Sequence, residues 1–179
     1  SMYSHIAKEQ IKLQNKEIVL TSLDILQESA GEMVNKLNDI VWLLNPDQAQ
    51  LQQLVEKLED YARQMGEAKA IRVHVDITDR ISTIELPIEV RRNTYLIFKE
   101  AINNAVKYSG TEKIEINTRV NNRELLLQVK DFGKGFDTSQ VVKGNGLDNM
   151  QYRAAELKGS LQVKSETGKG TTINLRVPV

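Results

Sequence analysis

The sequence predicts an α+β protein. A helical segment covers about residues 1–45. A two-layer α/β sandwich follows over 46–179, with a mixed sheet of about five strands and about three helices. Three observations predict this. Apolar residues recur at helical spacing through the first 45 residues. From residue 70 the period switches to strand-like alternation, interrupted by helical stretches. Four of the chain's ten glycines, Gly133, Gly135, Gly144 and Gly146, crowd into residues 132–146 and mark a long loop between a strand and a helix.

Composition bounds the function. A chain of 179 residues with 40% hydrophobic content fills one ordinary core, or one core and a smaller appendage. Lys and Arg total 24, as do Asp and Glu, so the formal net charge is zero. A nucleic-acid partner is therefore not expected, since such domains are usually basic. The absence of cysteine excludes a disulfide scaffold and any cysteine-ligated zinc or iron–sulfur site. With His5 and His74 as the only histidines, a His-based metal cluster is not expected either. No apolar run reaches the ~18 residues that a membrane helix needs, and no signal peptide is visible.

The elements follow in order. Val19, Leu23, Leu26, Ala30, Met33, Leu37, Ile40 and Leu44 are spaced alternately by four and three, an unbroken heptad seam without proline. Such a helix could pack on the chain's own core. A bundle or dimer is favoured, because the segment that follows has core positions of its own. Residues 3–16 read as a second, weaker helix. Asn45-Pro46 reads as an N-cap and first helical position, opening an amphipathic helix through Leu51, Leu54, Leu58, Tyr61 and Met65 and ending near Gly66.

Ile71, Val73, Val75 and Ile77 alternate as a half-buried strand. Residues 88–108 return to helical spacing, with Val90, Thr94, Ile97, Ala101 and Ala105 on one side. Residues 114–120 and 125–131 are two strands joined by a turn at Asn121-Asn122. A helix runs from about Leu147 to Leu157 and stops at Gly159. Leu161–Val163 and Thr172–Val177 close the sheet around Gly168-Lys169-Gly170. There are no internal repeats and no low-complexity stretch.

Four segments could carry chemistry. On the helix 88–108, Glu100, Asn104 and Lys107 sit at i, i+4 and i+7 and share a face, with Asn103 beside them. A carboxylate, an amide oxygen and an ammonium there could orient a nucleophile, ligate Mg²⁺ and meet phosphate. Alone, the face reads more simply as a solvated surface. Asp131-Phe132-Gly133-Lys134-Gly135-Phe136 ends a strand in a carboxylate and opens a glycine-rich loop. It fits an acceptor for an exocyclic amine, and equally a flexible turn. Gly144-Asn145-Gly146-Leu147 precedes a helix, whose N–H groups would favour an anion. It is neither a GxxxxGK[ST] phosphate loop nor a strand–GxGxxG–helix fingerprint. Gly168-Lys169-Gly170-Thr171, taken alone, is a hairpin.

Taken together, in this order and spacing, the run Lys99–Ser109, then Asp131–Gly135, Gly144–Leu147 and Gly168–Thr171, resembles the GHKL (Bergerat-fold) ATPase superfamily over about residues 50–179. Within it the match is to sensor histidine kinases. Asn38-Asp39-Ile40-Val41-Trp42-Leu43-Leu44-Asn45-Pro46 is similar to the end of the second dimerisation helix in the subfamily whose response regulators are often of the LuxR/NarL type. Glu100 and Leu147-Asp148-Asn149-Met150 fit the same subfamily.

The resemblance implies ATP and Mg²⁺ as ligands and a phosphoryl transfer from ATP to a histidine. Asn104 would hold Mg²⁺ on the phosphates, and Glu100 would orient the attacking imidazole as a general base. Lys107 would contact phosphate. Asp131 would take the adenine amine in a pocket shaped by Gly133 and Gly135. Gly144 and Gly146 would hinge a short lid (137–143), and Thr171 would sit under the base through water. Asn103, Tyr108, Phe136 and Leu147 complete the implied nucleotide contacts.

The partners implied are a second copy, through the N-terminal helices, and a response-regulator receiver domain. Ser1-Met2 reads as the scar of a removed tag. The chain is therefore expected to be the cytoplasmic piece of a membrane-anchored bacterial sensor, with its anchor upstream. The subfamily's phosphoacceptor box is not found. His5 lacks its flanking acidic, Arg and Leu-His-Asp features, and the acceptor is expected upstream. Two other readings stay open: a serine kinase of the anti-sigma type on the same fold, and a dimeric scaffold that senses nucleotide without catalysis.

Overall fold

The computed structural model describes residues 2–12, 16–77, 84–121, 123–138 and 145–179. It divides into two compact units, Ser1–Asn45 and Pro46–Val179.

In the first unit, α1 (Met2–Lys12) packs against α2 (Lys16–Leu44). The heptad seam lies on α2 as one continuous stripe. Val19 and Leu26 are half-buried, whereas Leu23, Met33, Leu37, Ile40 and Leu44 are each at least half exposed. Among the described residues no helix is long and apolar enough to cross a membrane.

The first α-helix of the second unit starts later than the Asn45-Pro46 signal suggests. Pro46–Gln48 is a single 3-10 turn, and α3 (Leu51–Glu67) begins five residues after Pro46. The cause is non-local. Leu51 donates its N–H to the Ile84 carbonyl (2.7 Å) and Leu86 to the Ala49 carbonyl (2.8 Å). This bridge between Gln50 and Glu85 holds the backbone extended where a helix could otherwise continue. Gln53 then accepts the N–H of Gln50 through its side chain (3.2 Å), satisfying one of the orphan donors at the helix start.

After α3 come β1 (Arg72–Ile77), α4 (Ile88–Tyr108), β2 (Lys113–Asn121), β3 (Glu124–Asp131), α5 (Asn145–Glu156), β4 (Ser160–Glu166) and β5 (Gly170–Pro178). The five strands form one mixed sheet in the order β1-β2-β3-β5-β4. The β1–β2 pair is parallel, with α4 in its crossover, and the other pairs are antiparallel. The α+β expectation is met. In the β2–β3 hairpin Asn121 pairs with Glu124, so Asn121 belongs to the ladder. Arg123 takes the left-handed turn conformation (φ 62°), and Asn122 lies outside the described residues.

One face of the sheet is apolar and buried: Ile114 and Ile116 of β2, Leu125, Leu127 and Val129 of β3, and Ile173, Leu175 and Val177 of β5. The helices cover this face, α4 burying Tyr95, Ile97, Phe98, Ala101, Ile102 and Ala105. Each Val, Leu, Ile or Phe among these contributes about 1.5–3 kcal/mol when buried. A one-residue slip would turn a whole strand's set to water, so the register is fixed. The other face is polar, with an amide row in which Asn117 donates to Gln128 and Gln128 to Asn174 (3.0 and 2.8 Å). A buried Asn93 ties α5 to α4, donating to Glu156 and accepting from Arg153, both at 3.1 Å.

Candidate functional site

A cavity of about 540 Å³ opens between α4, the end of β3, the start of α5 and β5. This is within the usual range for a small-molecule site. Glu100, Ala101, Asn104, Ala105 and Tyr108 of α4 form one wall, followed by Ser109. Val129 and Asp131 of β3 with Thr171 and Ile173 of β5 form the floor. Lys134, Gly135 and Phe136 form a third side, and Gly146 and Leu147 of α5 a fourth.

Each α4 residue turns the side chain by about 100°. Glu100, Asn104 and Tyr108 therefore drift slowly round the helix into the cavity. Asn103 falls on the other side, where its amide oxygen accepts the Tyr61 hydroxyl of α3 at 2.8 Å. Asn103 is not among the lining residues, and neither is Lys107, whose side chain is exposed. The structure thus brings Glu100 and Asn104 together and leaves Asn103 and Lys107 off the wall.

Asp131 continues the inward alternation of Leu125, Leu127 and Val129, so a carboxylate replaces an apolar residue at the last buried position of β3. It is 5% exposed. Burial pushes its carboxyl above the usual carboxylate value, while hydrogen bonds from the Gly133 N–H and from the N–H and hydroxyl of Thr171 pull the other way. The Gly133 bond is 2.9 Å long.

The glycines around Asp131 let three backbone segments meet. A Cβ on Gly133 would lie 2.6 Å from the Ser109 Cβ. Gly135 has φ 56°, and a Cβ there would lie 2.9 Å from the Gly170 carbonyl oxygen. Lys134 donates its N–H to the Ser109 carbonyl (2.8 Å) and accepts the Gly168 N–H (2.6 Å), fastening the loop to both neighbours. Gly133 thus sits behind the wall, against the end of α4, whereas Gly135 lines the cavity.

Gly146 plays a different part from the one its motif suggests. It lies inside the first turn of α5, not before the helix. A Cβ at Gly146 would collide with the Glu100 carboxylate oxygen. The missing side chain lets the positive end of α5 approach that carboxylate. Gly144, with most of the expected lid, lies outside the described residues.

Sequence reasoning missed Ser109, Lys134, Ala101, Ala105, Val129 and Ile173 as lining residues. The two alanines carried a usable signal. They lie at i and i+4, next to Glu100 and Asn104, where small side chains leave room for a ligand. Among the described residues no group of three or more His, Cys, Asp or Glu could hold a metal ion.

The comparisons with known proteins turn this geometry into a family. Residues 89–179, half of the chain, match the model of the histidine kinase-, DNA gyrase B-, and HSP90-like ATPase family. The chain belongs to this ATPase family. Membership assigns ATP binding to it. The whole chain is 29% identical over 180 residues to the sensor histidine kinase LiaS of Bacillus subtilis (strain 168), and it spans about half (49%) of that relative's length. The Acinetobacter baumannii histidine kinase AdeS shares its fold, with a TM-score of 0.65 at 19% identity over 98% of this chain and 94% of that one. The histidine kinase domain of the Erythrobacter litoralis EL346 blue-light activated histidine kinase does so too, at 0.65 and 18% identity over 99% and 94%. The mixed sheet with helices on one face is the fold these family members share.

Proposed function

We propose that this chain is the ATP-binding catalytic part of a sensor histidine kinase, and that it transfers the γ-phosphoryl of ATP to a histidine for relay to a response regulator. The observation that carries the reading is one cavity lined by Glu100 and Asn104 on one wall and by Asp131 and Thr171 on the floor. That separates a phosphate end from a base end. A serine kinase of the anti-sigma type has no dimerisation hairpin, so the paired helices α1 and α2 weigh against that alternative. The intact Glu100 weighs against a purely sensing scaffold.

At the base end, Asp131 accepts the exocyclic amine of adenine, and Gly135 and Phe136 line the slot. At the phosphate end, the first turn of α5 offers backbone N–H groups, and Tyr108 contributes to the wall. Asn104 supplies one neutral oxygen and no carboxylate cluster surrounds it. That donor set fits Mg²⁺, which takes one or two protein ligands and completes its octahedron with phosphate oxygens and water. When bound, Mg²⁺ would neutralise charge on the β- and γ-phosphate oxygens. Glu100 orients the incoming imidazole. As the attacking nitrogen bonds phosphorus and the bond to ADP breaks, the proton on the other ring nitrogen passes to the Glu100 carboxylate. The chain's contribution is otherwise positioning and charge stabilisation.

Neither His5 nor His74 is assigned as acceptor, and the acceptor imidazole comes from elsewhere in the assembly. The exposed seam of α2 supports homodimerisation through the helical unit. Because ATP is cytosolic, the chain would work on the cytoplasmic side of a membrane-anchored sensor.

Calorimetric titration with a non-hydrolysable ATP analogue, with and without Mg²⁺, tests the reading. Mg²⁺-dependent binding that Asp131→Asn abolishes is the expected outcome. Binding that Asp131→Asn leaves intact would remove the base end from this cavity.

A further inference from the structure

Helices α4 and α5 are pinned to each other at two points. At one, the Asn93 amide in the second turn of α4 donates to the Glu156 carboxylate and accepts from the Arg153 guanidinium, both at 3.1 Å. At the other, the Gly146 backbone in the first turn of α5 lies against the Glu100 carboxylate. A Cβ at Gly146 would stand 3.3 Å from the Glu100 carboxyl carbon and collide with one of its oxygens.

The spans between the pins match. Glu100 follows Asn93 by seven residues, and Arg153 follows Gly146 by seven. Seven residues make two turns, about 10 Å of helix, so each helix presents both pins on one facing stripe. The start of α5 meets the later pin of α4 and the end of α5 the earlier one, so the two helices run antiparallel. Both are continuous between the pins. A shift of α5 at Asn93 is therefore carried to Gly146, at the cavity.

The Asn93 pin has a single chemical sense. A guanidinium only donates and a carboxylate only accepts. The amide oxygen must face Arg153 and the amide nitrogen Glu156. Asn93 is 2% exposed, so water is a poor substitute for either partner. Met150 and Ala154 of α5 are buried too, but apolar burial is non-directional and methionine adapts to its surroundings. Such contacts hold α5 down without fixing its position along α4. The amide, with one donor and one acceptor to satisfy, does fix it.

We propose that Asn93 is a positioning residue for the phosphate end of the nucleotide site: it sets α5 along α4 in the register that lays Gly146 against Glu100. This rests on the nucleotide-site reading above. Gly146 and Leu147 form one side of the cavity and Glu100 and Asn104 another. Without the amide, α5 slides or tilts on its apolar contacts. Its first-turn N–H groups then miss the phosphates, while Asp131, on β3, stays in place for the base.

The test separates the two ends of the nucleotide. The full chain is titrated with a non-hydrolysable ATP analogue in Mg²⁺ and, separately, with adenosine, following backbone amide signals by NMR so that weak binding is also read. Asn93→Leu should lose about tenfold in affinity for the analogue, the worth of one hydrogen bond to a charged group, and keep its adenosine affinity. Glu156→Gln, whose amide oxygen still accepts from Asn93, should match wild type, whereas Glu156→Leu should share the loss.

An unchanged analogue-to-adenosine ratio in Asn93→Leu overturns the proposal, whether both affinities fall together, as a general packing role would give, or neither moves. A Glu156→Gln as impaired as Glu156→Leu overturns the hydrogen-bonded pin. If Asn93→Leu does not fold, Arg153→Met removes one bond from the half-buried side of the pin, and an unchanged ratio there is equally fatal. A wild type that binds neither ligand overturns the site reading and this proposal with it. Wild-type binding with an unchanged ratio in the variants overturns this proposal alone.

Discussion

The two units use apolar spacing in opposite ways. In the α/β unit the alternating set of β2, β3 and β5 is covered by helices of the same chain, and Leu125 is fully buried. In the helical unit the heptad set of α2 is equally regular, yet Leu37 is 61% exposed. A periodic stripe shows that a face will be buried but does not name what buries it. The α/β unit carries its own cover, and the seam of α2 is left for another helix, which fits assembly as a dimer.

The sharpest way to break this comparison is to truncate one apolar side chain in each unit. Leu125→Ala should destabilise the α/β unit by about 2–5 kcal/mol, through lost burial and a cavity. Chemical denaturation should show it at any protein concentration. Leu37→Ala should move the stability of the monomeric chain by no more than about 0.5 kcal/mol. Leu37→Asp should shift the sedimentation profile toward monomer, because it places a charge in the seam. A concentration-independent loss at Leu37 as large as that at Leu125 would mean the seam is already covered within one chain.

Next in size is an effect in which function and stability part company. Burial raises the Asp131 carboxyl above its value in the unfolded chain. The folded state therefore binds this proton more tightly. Its contribution favours folding below the unfolded value and is lost as pH rises through the folded one. Wherever the carboxylate is ionised, the fold holds it at a net cost in stability. Asp131→Asn should abolish ATP binding, a loss of about a hundredfold or more, the loss expected of a buried charged acceptor, while leaving the melting temperature of the ligand-free chain unchanged or higher. Acidification should weaken ATP binding in wild type, starting above the ordinary carboxylate range as the carboxylate becomes a neutral acid. A melting temperature that drops sharply in Asp131→Asn would mean Asp131 serves the fold rather than a ligand.

Much of the fold was legible because its signals are local. The seam of α2, the alternation of β2 and β3, and Asp131 at the end of an inward-facing set all follow from spacing. The glycines gave the loops, and Glu100 and Asn104 fell where helical spacing put them. What escaped depends on partners distant in sequence. The start of α3 is displaced by its bridge to residues 84–86. Asn103 looks like a neighbour of the site until Tyr61 of α3 takes its amide oxygen. Gly146 was read as loop, yet it opens α5, because the approach of Glu100 is a tertiary fact.

The smallest effect compares one substitution in the two units. Gly31 and Gly66 both lie inside helices. A Cβ on Gly31 would meet nothing within 4 Å, whereas on Gly66 it would lie 2.7 Å from Val73 Cγ2 and 2.8 Å from the Ile71 carbonyl oxygen. The chain folds back over Gly66, with Ile71 donating its N–H to the Gly66 carbonyl at 2.8 Å. The Ile71 carbonyl is backbone and cannot swing aside. Gly66→Ala should therefore destabilise by about 1–3 kcal/mol, as overpacking does. Gly31→Ala should stabilise α2 by up to about 1 kcal/mol, the intrinsic helix preference of alanine over glycine. Thermal melts followed at 222 nm would read both. A destabilising Gly31→Ala would mean that a partner helix approaches α2 closely at that position, placing the partner beside Gly31 as well as on the heptad stripe.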